Sequence, residues 1–453
     1  MGMGIDLYSP FLNDPAIDEI MGSEGLVRRM LFFEAALANV EARFGLIPQE
    51  AALLISDAAV PSNINLAELA ADTARAGNPA IPLVKALTKA VPEEAARYVH
   101  WGATSQDVMD TALAMQLRDV IPLFTDGMAQ LGEALCALAT KHRVQSMAAR
   151  TLLQQALPTT FGAKVGAWIM PLTRNLQRLE ALAPRLLVAQ LGGAAGTRAA
   201  LGGSGELVAR SLADELELGH SSLPWHTSRD NIAEFACVCG LICGSLGKIA
   251  QDVTLLMQTE IGEALEGREP GKGGSSTLPH KRNPVAAHAM LAIARLAPAL
   301  VSTMLSVQVQ AHERAVGDWP AEWIALPALV SHTGASLNHA VLMIRNLEIV
   351  PERMRSNLES TKGLVMAEAV MMALAQHVGR GAAHHSVELA CRTAVLQDRH
   401  LRDVLSEDPA VSTYLDDAAL ASLFDPASYL GDSVTFADTA VSLWKQRQAG
   451  VRA

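Results

Sequence analysis

Apolar side chains recur at alternating spacings of three and four residues through the middle of the chain. The run consists of Ile232, Phe235, Cys239, Ile242, Leu246, Ile249, Val253 and Leu256. Because the spacing holds for more than three heptads, it predicts a long helix that packs lengthwise against others in a bundle. Its remaining faces are also apolar, at Leu241, Leu255 and Met257. We expect such a helix to be buried between subunits.

Similar helical periodicity predicts further helices on both sides of this segment. They cover residues 26–44, 81–91, 108–141, 285–310, 322–349, 364–374 and 380–396, with another beginning at Pro48 and another near Pro171. Half of the residues are hydrophobic and only 4% are aromatic, which favours helices over strands. We predict an all-α protein with an N-terminal helical domain (1–110), a central long-helix bundle (111–350) and a small C-terminal helical domain (351–453).

The net charge and the positions of the cysteines exclude several classes of protein. A net charge of −11 argues against binding of nucleic acid, which requires a basic surface. Cys237, Cys239 and Cys243 lie inside one apolar helical run, as expected for reduced core thiols. The N-terminal residues lack the pattern of a secretory signal, and the charge-free run 235–247 is too short to span a bilayer. We therefore expect a cytoplasmic protein that is not inserted in a membrane.

The stretch GGSSTLPHKRNP, residues 273–284, carries the densest candidate chemistry. Its glycines and prolines predict a loop. The loop contains hydroxyl, imidazole, cationic and amide side chains, at Ser275, Ser276, His280, Lys281, Arg282 and Asn283. Such a set can bind an anion and move a proton, although the residues alone are equally consistent with a solvated surface loop.

Three other stretches offer weaker signals. In GATSQD, Thr104 or Ser105 can cap the following helix or bind a carboxylate at its N-terminus. In ARTLLQQALPTTFG, Pro158 predicts a break or kink in any helix. Arg314 in HERAVGDWPAEW can hold a carboxylate or form a surface salt bridge, and Pro320 predicts a break beside it.

The loop resembles the signature of the fumarase/aspartase superfamily, G-S-S-x-M-P-x-K-x-N-P, with Leu278 where methionine is usual. The resemblance implies a homotetramer of almost all-helical subunits. It also implies that the central helices of the four subunits pack into one core and that each active site is built from more than one subunit. Members remove a proton next to a carboxylate and expel a group from the adjacent carbon. The resemblance indicates no metal and no organic cofactor.

The same resemblance assigns roles to individual residues. It makes Ser275 the proton-transfer group, Lys281 the residue that stabilises the dianionic intermediate, and Asn283 a donor to a substrate carboxylate. Substrate-binding roles fall on Thr104, Ser105, Thr151, Gln154, Ser276, His280, Arg282 and Arg314. We expect Lys281, Arg282 and Arg314 to form a local positive funnel for an anionic substrate.

One departure from the superfamily pattern bears on the reaction. Leu152 replaces the histidine of the T-H-x-Q motif, a residue that many members use to protonate the leaving group. A carboxylate leaves without protonation, so this loss suits a carboxylate leaving group. A narrower resemblance is carried by the stretches AGNPAIPLVKAL (76–87), GATSQDVMDTA, LLQQALPTTFG, PGKGGSSTLPHKRNP and GLVMAEAV. In these stretches the chain resembles the 3-carboxy-cis,cis-muconate cycloisomerase branch, whose small tricarboxylate substrate closes to a lactone. A C–N lyase resembling adenylosuccinate lyase is the alternative, and an inactive structural homologue is disfavoured because Ser275, Lys281 and Asn283 are present.

Overall fold

The computed structural model describes residues 7–268, 273–274 and 277–451, and its regular structure is almost entirely helical. This confirms the predicted all-α class. The α-helices are α1 (Ser9–Leu12), α2 (Pro15–Met21), α3 (Ser23–Arg43), α4 (Gln49–Ala58), α5 (Leu66–Ala76), α6 (Ala80–Ala90), α7 (Glu93–Ala96), α8 (Ser105–Lys141), α9 (Phe161–Leu186), α10 (Gly205–Glu215), α11 (Asp230–Leu256), α12 (Val285–Ser306), α13 (Asp318–Arg345), α14 (Pro351–Glu359), α15 (Ala367–Val378), α16 (Arg380–Gln397), α17 (Leu401–Glu407), α18 (Pro409–Ser412), α19 (Asp417–Leu423) and α20 (Ser433–Val451).

The five longest helices are α8, α9, α11, α12 and α13, and the heptad run predicted the extent of α11 to within two residues. The predicted break at Pro320 is wrong. Pro320 lies in the first turn of α13, where a backbone N–H has no partner within the helix, so proline removes no hydrogen bond there. Pro122, Pro298 and Pro327 even lie inside α8, α12 and α13.

The stretch around Pro158 forms a β-hairpin instead of a broken helix. Strand β1 (Ser146–Thr151) pairs antiparallel with β2 (Gln154–Thr160), and Pro158 faces Ala148 beside an irregularity in the register. Proline is tolerated at such irregular positions because its missing N–H is not needed for pairing. A second small sheet pairs β3 (Ala264–Leu265) with β4 (Glu348–Ile349).

Contacts among the described residues group the chain into two units. The first contains Met1–Met128, Asn175–Gly247 and Ala289–His339, and the second contains Ala129–Arg174, Lys248–His288 and Ala340–Ala453. The domain boundaries near residues 110 and 350 stay a prediction.

Each unit has its own apolar core. The core of the first unit joins side chains of α3 and α4 to the start of α8 and to α10, with Phe33, Leu37, Ile55 and Leu212 fully buried. In the second unit, one core is built mainly from α15, α16 and α17, and a smaller cluster around Met366 includes Ala148 of β1.

Two helices, α11 and α12, are long and apolar enough to cross a membrane by length and composition alone. Core helices of other proteins also pass this test. The most apolar window of α11 is 61% buried, as expected of a core helix, whereas that of α12 is only 33% buried. Most residues of this window of α12 are therefore at least partly exposed on the single chain.

Candidate functional site

The N-terminus of α8 carries the first pair of predicted site residues. Thr104 immediately precedes the helix and Ser105 is its first residue, and both are half-buried. The Thr104 N–H donates to Oδ2 of Asp107 at 3.0 Å, which is one half of a capping box. Within the described part of the chain, neither hydroxyl makes a hydrogen bond. Both are available at a helix N-terminus, where backbone N–H groups and the helix dipole favour an anion.

Asp107 connects this turn to the glycine-rich turn at residues 192–196. Its fully buried carboxylate accepts the N–H groups of Gly192 and Gly193 at 2.8 and 2.9 Å, and it lies 2.7 Å from Nε2 of His226. Four donors thus converge on one carboxylate, which offsets the cost of burying its charge.

Arg314 belongs to the same cluster. Its Nε donates to Oε1 of Gln106 at 3.1 Å, and the Gln106 amide nitrogen donates to the backbone oxygen of His226 at 2.8 Å. Arg314 itself is exposed. The first unit therefore brings three predicted residues together, namely Thr104, Ser105 and Arg314, with Gln106 between the hydroxyls and the guanidinium.

Thr151 and Gln154 face each other at the end of the β1–β2 hairpin, in the second unit. The two residues between them, Leu152 and Leu153, have φ values of 51° and 66°. Positive φ at both central residues defines a turn that normally carries asparagine or glycine, so two leucines there are unusual. Leu152 is 97% exposed. The residue that replaces the motif histidine therefore projects into solvent from the hairpin tip.

An ion pair with a buried carboxylate holds the hairpin close to its tip. Arg150 donates two hydrogen bonds to Glu263, at 2.9 and 2.6 Å, and the Asn357 amide donates to the same carboxylate at 2.6 Å. Glu263 is fully buried, whereas Arg150 is half-buried. The bidentate geometry fixes the strand that leads to Thr151.

The described part of the signature loop is closed by Asn283. Its N–H donates to the Gly273 oxygen at 2.9 Å and its side-chain amide donates to the Gly274 oxygen at 3.3 Å. Gly273 has a φ of 68°, and a Cβ there would lie 2.7 Å from the Asn283 oxygen, so this position requires glycine. One N–H of the Asn283 amide, which the resemblance assigns to a substrate carboxylate, therefore closes the loop in this structure.

The cations of the loop differ in their surroundings. Nη1 of Arg282 donates to Glu348 at 2.9 Å and Nη2 lies 2.8 Å from the other oxygen of that carboxylate, which lowers the pKa of Glu348. His280 and Lys281 are exposed. No hydrogen bond among the described residues joins Thr151 or Gln154 to these loop side chains. Ser275 and Ser276 lie outside the described residues.

Glu266 fixes the point where the loop ends and α12 begins. Its buried carboxylate accepts the N–H groups of Ala286 and Ala287 at 3.1 and 2.8 Å. These are N–H groups of the first turn of α12, which lack partners within the helix. Glu266 is therefore a cap supplied from the other end of the loop.

The residues that support the site were missed by sequence reasoning. Asp107 stands three positions after Thr104, a spacing typical of a capping box, so this signal was present in the sequence. His226, Glu266 and Glu348 act over long sequence separations, and no local pattern marks them. No cluster of three or more histidine, cysteine, aspartate or glutamate side chains suited to a metal occurs in the described ranges.

Comparison with protein families matches most of the chain. Residues 21–297 match the family described as Lyase, and residues 363–440 match the family described as Adenylosuccinate lyase C-terminus.

Individual relatives are similar over nearly the full length. The chain is 46% identical over 431 residues to the 3-carboxy-cis,cis-muconate cycloisomerase of Acinetobacter baylyi, covering 94% of this chain and 96% of that protein. It is 47% identical over 439 residues to the protein of the same name from Pseudomonas aeruginosa, covering 96% of each. The crystal structure of 3-carboxy-cis,cis-muconate lactonizing enzyme from Pseudomonas putida superposes with a TM-score of 0.92 at 45% identity, over 97% of this chain and 99% of that chain.

Proposed function

Because the chain belongs to the Lyase family of the fumarase/aspartase superfamily, we propose that it is a cycloisomerase that converts 3-carboxy-cis,cis-muconate to 4-carboxymuconolactone in protocatechuate breakdown. Near-full-length identity of 46–47% to relatives that carry this name is the observation on which the proposal rests.

The reaction is an isomerisation coupled to uptake of one proton. A carboxylate oxygen of the substrate adds to a carbon of the double bond, and the neighbouring carbon takes a proton after charge passes through an aci-carboxylate. The trianionic substrate thus becomes a dianionic lactone. No oxidant, reductant or second substrate is needed for this balance.

The hairpin tip supports this reaction over a C–N cleavage. In the reverse direction the leaving group is a carboxylate, whose pKa of about 4 allows it to depart unprotonated at neutral pH. Leu152 offers no proton, and its 97% exposure leaves it available to meet a substrate or another subunit. An amine leaving group would instead need an acid near this position.

The site residues take the following roles in the proposal. Thr104 and Ser105 bind one substrate carboxylate at the N-terminus of α8. Arg314 is connected to this site by its hydrogen bond to Gln106. Ser275 transfers the proton, and Ser276 and His280 bind the substrate. Lys281 stabilises the developing dianion, which is the largest expected contribution of such a site. Thr151 and Gln154 contact the substrate from the hairpin, Arg282 binds the substrate, and Asn283 donates to a substrate carboxylate.

The proposed assembly is a cytoplasmic homotetramer that shares its active sites between subunits. The exposed apolar side chains of α12, among them Leu296 and Leu305, support burial against other subunits. Light scattering after size-exclusion chromatography would then give about four times the 48.0 kDa chain mass. A mass of one chain would contradict the assembly.

The function is tested by adding purified protein to 3-carboxy-cis,cis-muconate without any cofactor and following ultraviolet absorbance of the diene and proton uptake. We expect loss of the diene with one proton consumed per turnover. Adenylosuccinate serves as the second substrate, and its cleavage with no change in the muconate would support the alternative lyase.

Matched variants connect the activity to the loop. Ser275→Ala and Lys281→Met should each lower kcat by a hundredfold or more, on the order expected for removing a catalytic acid–base or electrostatic group. Lys89→Met, at an exposed lysine of α6, is the control and should retain wild-type turnover. Full activity in Lys281→Met would remove this residue from the site.

A further inference from the structure

His226 is buried beside the glycine-rich turn, with 4% of its surface exposed. Its Nε2 lies 2.7 Å from Oδ1 of Asp107. A Cβ at Gly192 would lie 2.7 Å from Cε1 of the imidazole, so the ring occupies space that only a glycine leaves open. The close approach of the turn to this ring is therefore built into the sequence.

The Asp107 carboxylate divides its acceptor capacity between two turns. Oδ1 accepts from Gly192 and faces His226, whereas Oδ2 accepts from Thr104 and Gly193. An ionised carboxylate has about four lone-pair sites, so these four partners saturate it. Loss of one donor leaves the buried charge with one hydrogen bond too few. The carboxylate must then move relative to its three remaining donors.

A second contact joins His226 to the same helix N-terminus. The Gln106 amide donates to the His226 backbone oxygen, and Oε1 of Gln106 accepts from Arg314. His226 thus contacts the two residues that follow Ser105 in α8. Its ring faces Asp107, and its backbone oxygen accepts from Gln106. The histidine touches neither Thr104 nor Ser105 through its side chain, so any effect on them passes through Asp107.

We propose that His226 is a positioning residue, whose Nε2–H holds Asp107 so that the N–H groups and hydroxyls of Thr104 and Ser105 stay oriented for a substrate carboxylate. This inference rests on the proposed function for the identity of the substrate and for the role of these two residues. A carboxylate site preorganised in this way needs no rearrangement when substrate binds.

The variants are chosen to separate positioning from packing. His226→Leu fills the space of the ring but removes the donor, whereas His226→Gln can place an amide N–H near the position of Nε2. His220→Leu is the matched control, because His220 also lies 2.8 Å from a carboxylate, that of Glu206, in the same unit, while no hydrogen bond among the described residues joins it to either turn.

Steady-state kinetics give the first readout. We expect His226→Leu to raise KM by about tenfold to a hundredfold, the effect of losing one hydrogen bond to a buried charge, with kcat changed by less than about threefold. His226→Gln should recover most of the affinity, and His220→Leu should match the wild type.

Amide hydrogen exchange gives a readout that does not depend on the reaction. In His226→Leu, exchange should accelerate at Thr104, Gly192 and Gly193, and His226→Gln should restore protection. If wild type fails to convert the muconate, the proposed function fails while this measurement still decides on His226. Unchanged KM and exchange in His226→Leu, or equal losses in both His226 variants or in His220→Leu, would overturn the inference.

Discussion

Leu152 combines a backbone conformation that disfavours leucine with nearly complete exposure. We predict that Leu152→His leaves the melting temperature unchanged, because the side chain packs against little and histidine tolerates positive φ better. It should not raise the rate of lactone formation, since a carboxylate leaving group needs no acid. Instead the pH profile of kcat/KM should gain a new limb near the histidine pKa of about 6.5.

Leu153→His provides the comparison for this experiment. It places the same imidazole one residue along the tip, where the superfamily motif has no histidine, and should alter the pH profile less. A Leu152→His enzyme that is faster than the wild type at pH 7 would show that an acid is useful there, contrary to the proposed chemistry.

Glu41 of α3 is a fully buried carboxyl, and neither of its oxygens has a hydrogen-bond partner among the described residues. Burial, with a smaller effect of the nearby Glu34 carboxyl, raises the pKa of Glu41 to about 9 from 4.5. Between these values the folded chain binds one more proton than the unfolded chain. The contribution of Glu41 to the stability of the fold is therefore fully present below pH 4.5 and is lost as pH rises toward 9.

We predict that Glu41→Gln becomes progressively more stable than the wild type as pH increases from 5 to 8. The difference should grow by up to about 1.4 kcal/mol per pH unit, the free energy of one pKa unit. Thermal denaturation across this range tests the slope, with the exposed Glu50→Gln as control. A difference between the two proteins that does not change with pH would contradict the raised pKa.

Site residues were predictable only where a motif carried them. The sequence places Thr104, Ser105 and Lys281 in recognisable motifs and Asp107 at capping-box spacing, but it does not show that Asp107 also accepts the N–H groups of Gly192 and Gly193. His226 lies 119 residues from Asp107, and its role depends on the folded chain bringing the two together. Such partners become visible only in three dimensions.

At the scale of elements, Arg229 joins two long helices. Its fully buried guanidinium contacts Asp110 of α8 at 2.8 Å and both oxygens of Glu322 of α13 at 2.9 and 2.5 Å. Burial alone would lower the pKa of Arg229, but the two carboxylates outweigh it and raise the pKa. The cation therefore stays charged and offsets two buried anions.

We predict that Arg229→Met destabilises the protein by about 3–5 kcal/mol, because it leaves two buried carboxylates without their cation. Scanning calorimetry at pH 7 should show a clear decrease in melting temperature. In the control, Arg143→Met removes the exposed pair with Asp438 and should leave the melting temperature unchanged. Equal melting temperatures for the two variants would refute the role of Arg229.

Helices were easier to predict than strands for a physical reason. The periodicity of α11 is a property of its own sequence, so its extent could be read directly. The β1–β2 hairpin lacks an Asn-Gly or Asp-Gly turn and bends through two leucines instead. Its strands are specified by pairing with each other and by the Arg150–Glu263 pair, neither of which a local pattern records.

For the whole molecule, we predict that two inactive variants restore each other's activity when mixed. If active sites are shared between subunits, Ser275→Ala and an inactive Arg314→Met can assemble hybrids in which some sites contain neither substitution. Activity should appear after joint unfolding and refolding of the two proteins, and remain absent when each is refolded alone. No recovery in verified hybrid tetramers would place both residues in a site formed by one subunit.

Organisation at this scale was only partly predictable. The helical class followed from composition and periodicity, but the two contact units each draw on three separate segments of the chain. Long helices such as α8, with 37 residues, contribute residues to both units. Sequence order therefore does not translate into consecutive compact blocks, and composition alone could not anticipate this.

The carboxylate of Glu266 has a consequence for how this protein can change. By capping the first turn of α12, it brings the two ends of the intervening loop to one fixed junction, and Asn283 makes a further closure inside it. A loop anchored in this way can be changed in length or sequence without changing the helices at its ends, because the entropy cost of closing a loop grows only slowly with its length. Substitutions between Glu266 and the first turn of α12 can therefore change the reaction while the helical framework stays the same.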